Sequence, residues 1–274
     1  MQPLRQTPAS GAGAAPSLSG FTPVVRQMRT MPRDRARYFY SGAAMFLLVV
    51  MFFGFQQFYL HGRAYPNRPL TPPIRTLLIA HGLAMSAWVL LLVVQPLLVV
   101  NGKRRLHMTL GKAGAVLAAC VFILGLKVAI EATRAAPPTA IPWNLHVKNF
   151  MAIPITTVTM FAVFVAIGIL NRRRPNIHRP MMLLATLAAM TAALSRIDVV
   201  RLLYDHTVWA IIFGPYFAPL VIGAILLVVK WALTRKFDRY YAIGWVGLVV
   251  AGAAVMRLAT TAMWERIATA LLHS

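Results

Sequence analysis

The sequence predicts an all-α, polytopic integral membrane protein with seven transmembrane helices. Three observations carry that prediction. Of the 274 residues, 59% are hydrophobic and only 12% are charged, about half the charged share of a soluble domain. Apolar runs of twenty or so residues recur along the chain, each long enough to cross a hydrocarbon layer about 30 Å thick. The charge is lopsided, with 28 Lys and Arg against 6 Asp and Glu, a net +22, and most of it falls between the apolar runs. A basic chain of this kind reads as a nucleic-acid binder only if it is soluble. This one lacks the polar surface for that, so no nucleic-acid partner is expected.

The elements follow in order. Residues 1–37 are rich in Pro, Ser, Gly and Ala and carry six arginines. They lack the apolar stretch of a secretory signal and read as a disordered, basic, cytoplasmic tail. Its segment from Arg26 to Arg37 suits anionic lipid head groups. Apolar stretches then cover 38–60, 76–100, 110–130, 147–170, 181–204, 209–233 and 240–264. They are too long for strands and lack the alternation of a membrane barrel. Helices satisfy every backbone N–H and C=O inside the lipid, so helices are expected. Residues 38–264 thus form the transmembrane domain, with a four-helix core over about 76–204, and 265–274 form a short outer tail.

The connections set the orientation. The tail and the connections holding Lys103, Arg104, Arg105 and Lys112, then Arg172, Arg173, Arg174 and Arg179, then Lys230, Arg235, Lys236 and Arg239 carry 18 of the 28 basic residues. The opposite side holds 6: Arg63, Arg68, Arg75, Arg134, Lys148 and Arg266. An excess of Lys and Arg marks the cytoplasmic side, so the N-terminus is expected inside and the C-terminus outside. The single cysteine, Cys120, falls mid-span. One thiol excludes an internal disulfide, a CxxCH haem attachment and an iron–sulfur cluster built from this chain alone.

Four of the seven histidines fall at corresponding places in two successive hairpins. His81 and His107 lie 26 residues apart across the second and third stretches, His146 and His178 32 apart across the fourth and fifth. His81 and His146 are expected near the outer face, His107 and His178 near the cytoplasmic face. Imidazole is a good axial ligand for haem iron, and facing histidines on different helices can hold a b-type haem in a bundle core. Gly111, Gly114, Ala118 and Gly125 give the third helix a smooth face, open either to a flat macrocycle or to a neighbouring helix. His81, Trp88 and Gln95, seven apart, share one stripe with Met85 and Leu92 between them. His61, His206 and His273 read as surface residues.

Charges inside the apolar stretches form a second set: Lys127, Glu131, Arg196, Asp198, Arg201, Asp205 and Arg257. Ionisable groups at such depth tend to face the bundle interior. Asp198 with Arg201 and Arg201 with Asp205 have the spacing of same-face pairs. Arg196 and Arg257 point to an anionic guest: haem propionates, a quinone oxygen, a carboxylate or a phosphate. Snorkelling to the interface is the alternative, above all for Lys127 and Arg201. His178 and Arg196, eighteen apart, face the same way on a regular helix. Helix breaks are compatible with Pro154, flanked by Thr156, Thr157 and Thr159, and with Gly214, Pro215 and Pro219. The seventh stretch has no lysine for a retinal Schiff base. No GxxxxGK[ST], HExxH or GxSxG pattern is present.

His81-Gly-Leu-Ala-Met-Ser-Ala-Trp88, Gln95-Pro96, Leu106-His107-Met-Thr-Leu110-Gly111 and His178-Arg-Pro-Met resemble uncharacterised bacterial membrane proteins with an H…W…Q…LHxxLG…HxxM pattern. More distantly, residues 75–200 are similar to di-haem transmembrane b-type cytochromes. That resemblance implies haem b as cofactor, His81 paired with His146, and His107 paired with His178. It also implies electron transfer between an outer and an inner site, with a quinone or another redox partner. The residues alone leave two other readings open. One is a transporter or lipid- and anion-binding protein using Arg196, Asp198, Arg201, Arg257 and Lys127. The other is an accessory or assembly subunit of a membrane complex.

Overall fold

The computed structural model describes residues 32–65, 68–137 and 139–273. Most of the expected tail, up to position 31, lies outside them. The fold is 82% helical. Helices α1 (Pro32–Gly54) and α2 (Gln56–His61) are followed by a small antiparallel hairpin, Arg63–Tyr65 with Arg68–Pro69. Then come α3 (Arg75–Val100), α4 (Arg104–Arg134), α5 (Val147–Phe150), α6 (Ala152–Leu170), α7 (Pro175–Ala189) and α8 (Thr191–Leu194). The chain closes with α9 (Asp198–Leu202), α10 (Val208–Phe213), α11 (Phe217–Thr234), α12 (Arg239–Leu258) and α13 (Ala262–His273).

Among the described residues, six segments are long and apolar enough to cross a membrane: Arg75–Val100, Arg104–Arg134, Val147–Leu170, Pro175–Leu194, Val208–Thr234 and Arg239–Leu258. Tyr38–Gly54 is a shorter apolar helix. The chain is therefore an all-α, multi-pass membrane protein.

Four boundaries differ from the sequence reading, each for a local reason. The first apolar stretch breaks at Gly54, where α1 meets α8 so closely that a Cβ would fall on the Ala193 backbone. The fifth ends at Leu194 instead of continuing to 204. There Thr191 Oγ1 donates to Ala188 O (2.8 Å), Ser195 Oγ to Ala192 O (3.1 Å) and Arg196 Nη1 to Ala192 O (2.6 Å). Side chains thus serve carbonyls that a continuing helix would give to its own amides. The sixth breaks at Gly214, whose φ of 51° is left-handed, before Pro215. The seventh stops at Leu258, and the segment read as a short outer tail falls within a separate helix, α13.

The core is centred on α7. Of the Pro175–Leu194 window 72% is buried, against 17% for Arg75–Val100. Helix α7 packs on α6, α12, α1, α11 and α3, so the core draws on the C-terminal helices as well as on the expected four. Trp88 ties α3 to the centre, donating its indole N–H to Thr186 Oγ1 (2.9 Å) and meeting Phe161 edge-on at 5.0 Å. Such an aromatic pair adds about 1 kcal/mol beyond burial.

The glycine face of α4 receives neighbouring helices. A Cβ on Gly114 would come 2.6 Å from Leu91 Cδ2 of α3, and one on Gly125 would come 2.5 Å from Val158 Cγ1 of α6. Small residues permit this approach where no hydrophobic force separates helix from lipid. Gly125→Leu should therefore destabilise the protein by about 1–3 kcal/mol through overpacking. Gly247→Ala, where the new carbon meets nothing within 4 Å, should leave the melting temperature of the detergent-solubilised protein unchanged.

Candidate functional site

Helix periodicity carries His81, Trp88 and Gln95 down one face of α3. Trp88, at the middle, is buried. Its contacts with Phe161 and Thr186 fill the bundle centre between the two ends of the stripe. Two separate polar sites result. One lies at the end carrying the basic connections, the other at the opposite end.

At the basic end, the last turn of α6 leaves its carbonyls without intrahelical partners. His178 takes one of them: its Nδ1–H donates to Gly168 O at 2.9 Å. Gly168 is needed there, because a Cβ would strike the Met182 side chain and come 3.4 Å from Met181 Cβ. The bond puts the His178 proton on Nδ1 and leaves Nε2 with a free lone pair, the arrangement by which backbone carbonyls orient metal-binding histidines. His107, half-buried in the first turn of α4, is held by Gln95 of α3. With its nitrogen toward the ring, the Gln95 amide donates to His107 Nδ1 and to His107 O (3.2 Å), and its oxygen accepts from Gly111 N–H (3.0 Å). His107 and Arg179 both lie within electrostatic reach of His178.

At the opposite end, His81 faces Gly125 of α4, its Cε1 3.3 Å from where a Cβ would stand. Its Nδ1 is buried and has no hydrogen-bond partner among the described residues. Arg196 lies within electrostatic reach of this ring, and its guanidinium sits over the Phe55 ring at 4.8 Å. His146 is exposed, immediately ahead of α5. The fold therefore draws Arg196 toward His81 while leaving His146 outside the bundle interior. Beyond α8, Tyr204 stacks on Trp143 at 5.8 Å and meets Phe217 at 5.0 Å. Burial pushes its phenol up to about 12.

The other charges expected in the interior are not gathered there. Lys127, Asp198 and Arg257 are exposed. Arg201 pairs with Asp205 at 3.5 Å, as the spacing anticipated, but on and beyond the short α9 instead of inside a span. Glu131 pairs with Arg134 at 2.7 Å. His61, His206 and His273 are exposed.

No family model, curated protein or solved structure matches the chain.

A polar centre that the sequence reading assigned to a loop lies in the core of the basic end. Lys230 is 8% exposed and binds Asp238 and the Tyr40 hydroxyl. Asp238 also caps α12, accepting from Tyr241 N–H at 3.0 Å, while Tyr241 Oη donates to Gly223 O at 3.1 Å. One lysine thereby joins α1, α11 and the start of α12. The signal was present: Lys230 interrupts the apolar run 209–233, with a carboxylate eight residues later at a helix start. Lys230→Met should cost about 3–5 kcal/mol, because it strands a buried carboxylate. Adding Asp238→Asn should restore part of that loss in the same thermal unfolding assay.

A b-type haem needs imidazole nitrogens with free lone pairs on facing helices. His178 meets that condition. His107 does not while the Gln95 amide donates to its Nδ1, which puts the ring proton on Nε2; freeing Nε2 requires the amide to turn over and give up its bonds to His107 O and Gly111 N–H. The opposite end does not, because one imidazole of its expected pair is exposed.

Proposed function

We propose that the chain is a seven-span protein of the bacterial inner membrane that carries one b-type haem between His107 and His178. Tyr38–Gly54 supplies the seventh span: its 17 residues rise about 26 Å, and α2 extends the path. The basic end and the N-terminus then lie in the cytoplasm and the C-terminus outside. A bound haem would supply one-electron transfer at the inner face, toward a quinone or another redox partner.

The observation that carries this reading is that His178, with Nε2 left free by its bond to Gly168 O, has His107 within electrostatic reach. Gly168 fixes the proton of His178 on Nδ1, and Gln95 controls the proton of His107. The Gln95 amide thus acts as a positioning group, deciding whether His107 Nε2 is a donor or a ligand. The di-haem arrangement reduces to one haem, because His146 is exposed and His81 has Arg196 beside it.

Purified protein from haem-replete cells should show a reduced-minus-oxidised band in the b-haem α region. His107→Ala and His178→Ala should remove it, while His81→Ala and His146→Ala should retain it. A colourless wild-type preparation, or loss confined to the His81 and His146 variants, would overturn the reading.

The buried, unpartnered His81 Nδ1 beside Arg196 favours a second reading, an anion-binding or transport site at the outer end. It predicts that a small carboxylate or phosphate raises the melting temperature of the wild type but not of Arg196→Leu. An equal shift in both proteins would contradict it.

A further inference from the structure

Helices α1 and α11 leave an open apolar groove of about 450 Å³ between them, with Tyr38, Phe46, Val229 and Leu233 exposed on the bundle surface. Tyr38, Gly42 and Phe46 form one wall, and Leu226, Val229 and Leu233 the other. Gly42 opens the groove: a Cβ there meets nothing within 4 Å. Just beyond Leu233, the connection to α12 exposes Arg235, Lys236 and Arg239. Its one carboxylate, Asp238, is held by Lys230 and by Tyr241 N–H and so does not neutralise them. Arg235 ends α11 with a φ of 53°, a left-handed conformation that glycine adopts most cheaply. A cation stands there instead.

We propose that this groove is a binding site for an anionic phospholipid, with one acyl chain lying between α1 and α11 and the head group on Arg235 and Lys236. An acyl chain matches a groove with apolar walls on a membrane-facing surface. A negatively charged head group matches the exposed Arg235 and Lys236 that follow the groove-lining Leu233. The site rests on the reading of α1 and α11 as membrane spans and does not depend on the histidine pair.

Native mass spectrometry of the detergent-purified protein, titrated separately with phosphatidylglycerol and phosphatidylcholine, tests it. Phosphatidylglycerol should be retained about thirtyfold more strongly, as expected from two basic contacts. Arg235→Gln with Lys236→Gln should abolish that preference while leaving a retained lipid of either kind. Gly42→Phe should remove the retained lipid, and Val229→Trp should do the same from the opposite wall. Gly42→Ala should bind as the wild type does and serves as the folding control. Equal retention of the two lipids by the wild type, or unchanged phosphatidylglycerol binding in Gly42→Phe and Val229→Trp, would overturn the site. The haem-band result is a separate readout, so failure here leaves the histidine reading standing, and the reverse also holds.

Discussion

A backbone amide or carbonyl in hydrocarbon has no water to turn to, and an unpaired one costs several kcal/mol. That constraint is visible at the bend beside Pro154 and at the end of the fifth span. Hydroxyls fold back onto their own helices: Ser86 to Gly82 O, Thr133 to Ala129 O, Thr159 to Ile155 O and Thr234 to Lys230 O. Where helices bend or stop, side chains supply the missing donors. The Tyr216 hydroxyl donates to Ile153 O at 3.0 Å, beside Pro154, and Arg196 serves Ala192 O where the fifth span ends. Helices that must satisfy themselves in this way can also pack closely. Gly54, Gly114, Gly125 and Gly168 each lie where a Cβ would collide with the next element.

The same rule builds the candidate site. His178 takes up a carbonyl in the last turn of α6, and the by-product is an imidazole with a fixed tautomer and a free nitrogen. Gln95 approaches His107 at the turn where Pro96 follows in α3. Lys230 exists in the interior only because Asp238, Tyr40 and a helix start converge on it. A buried pair of this kind is weak as a source of net stability. It fixes the register of α1, α11 and α12, and so the shape of the groove beside them.

The fold class was legible because hydropathy and charge placement are one-dimensional signals: apolar length gives spans and loop cations alternate. Helix ends were less legible. The arrest at Leu194 depends on Thr191, Ser195 and Arg196 choosing backbone carbonyls, and the arrest at Gly54 depends on a neighbour 139 residues away in sequence. Of the site, the His81–Trp88–Gln95 stripe was readable from seven-residue spacing. That Gln95 serves His107, while Trp88 fills the middle of the bundle, needed the packing of α3 on α4 and α7. Exposure was the largest gap. Periodicity gives a residue its face but not which face is inward, and so Lys127 and Arg257 were expected inside while Lys230 was placed in a loop.

One haem held between His107 and His178 requires the first turn of α4 to stand beside the start of α7 at the basic end. Site-directed cross-linking tests it directly in membranes. In a Cys120→Ala background, the His107→Cys, His178→Cys double variant treated with a short bis-maleimide should give an intramolecular cross-link between peptides from α4 and α7. It should form at a higher yield than the His107→Cys, His146→Cys control. Equal yields, or a cross-link confined to the control, would contradict the arrangement on which the account rests.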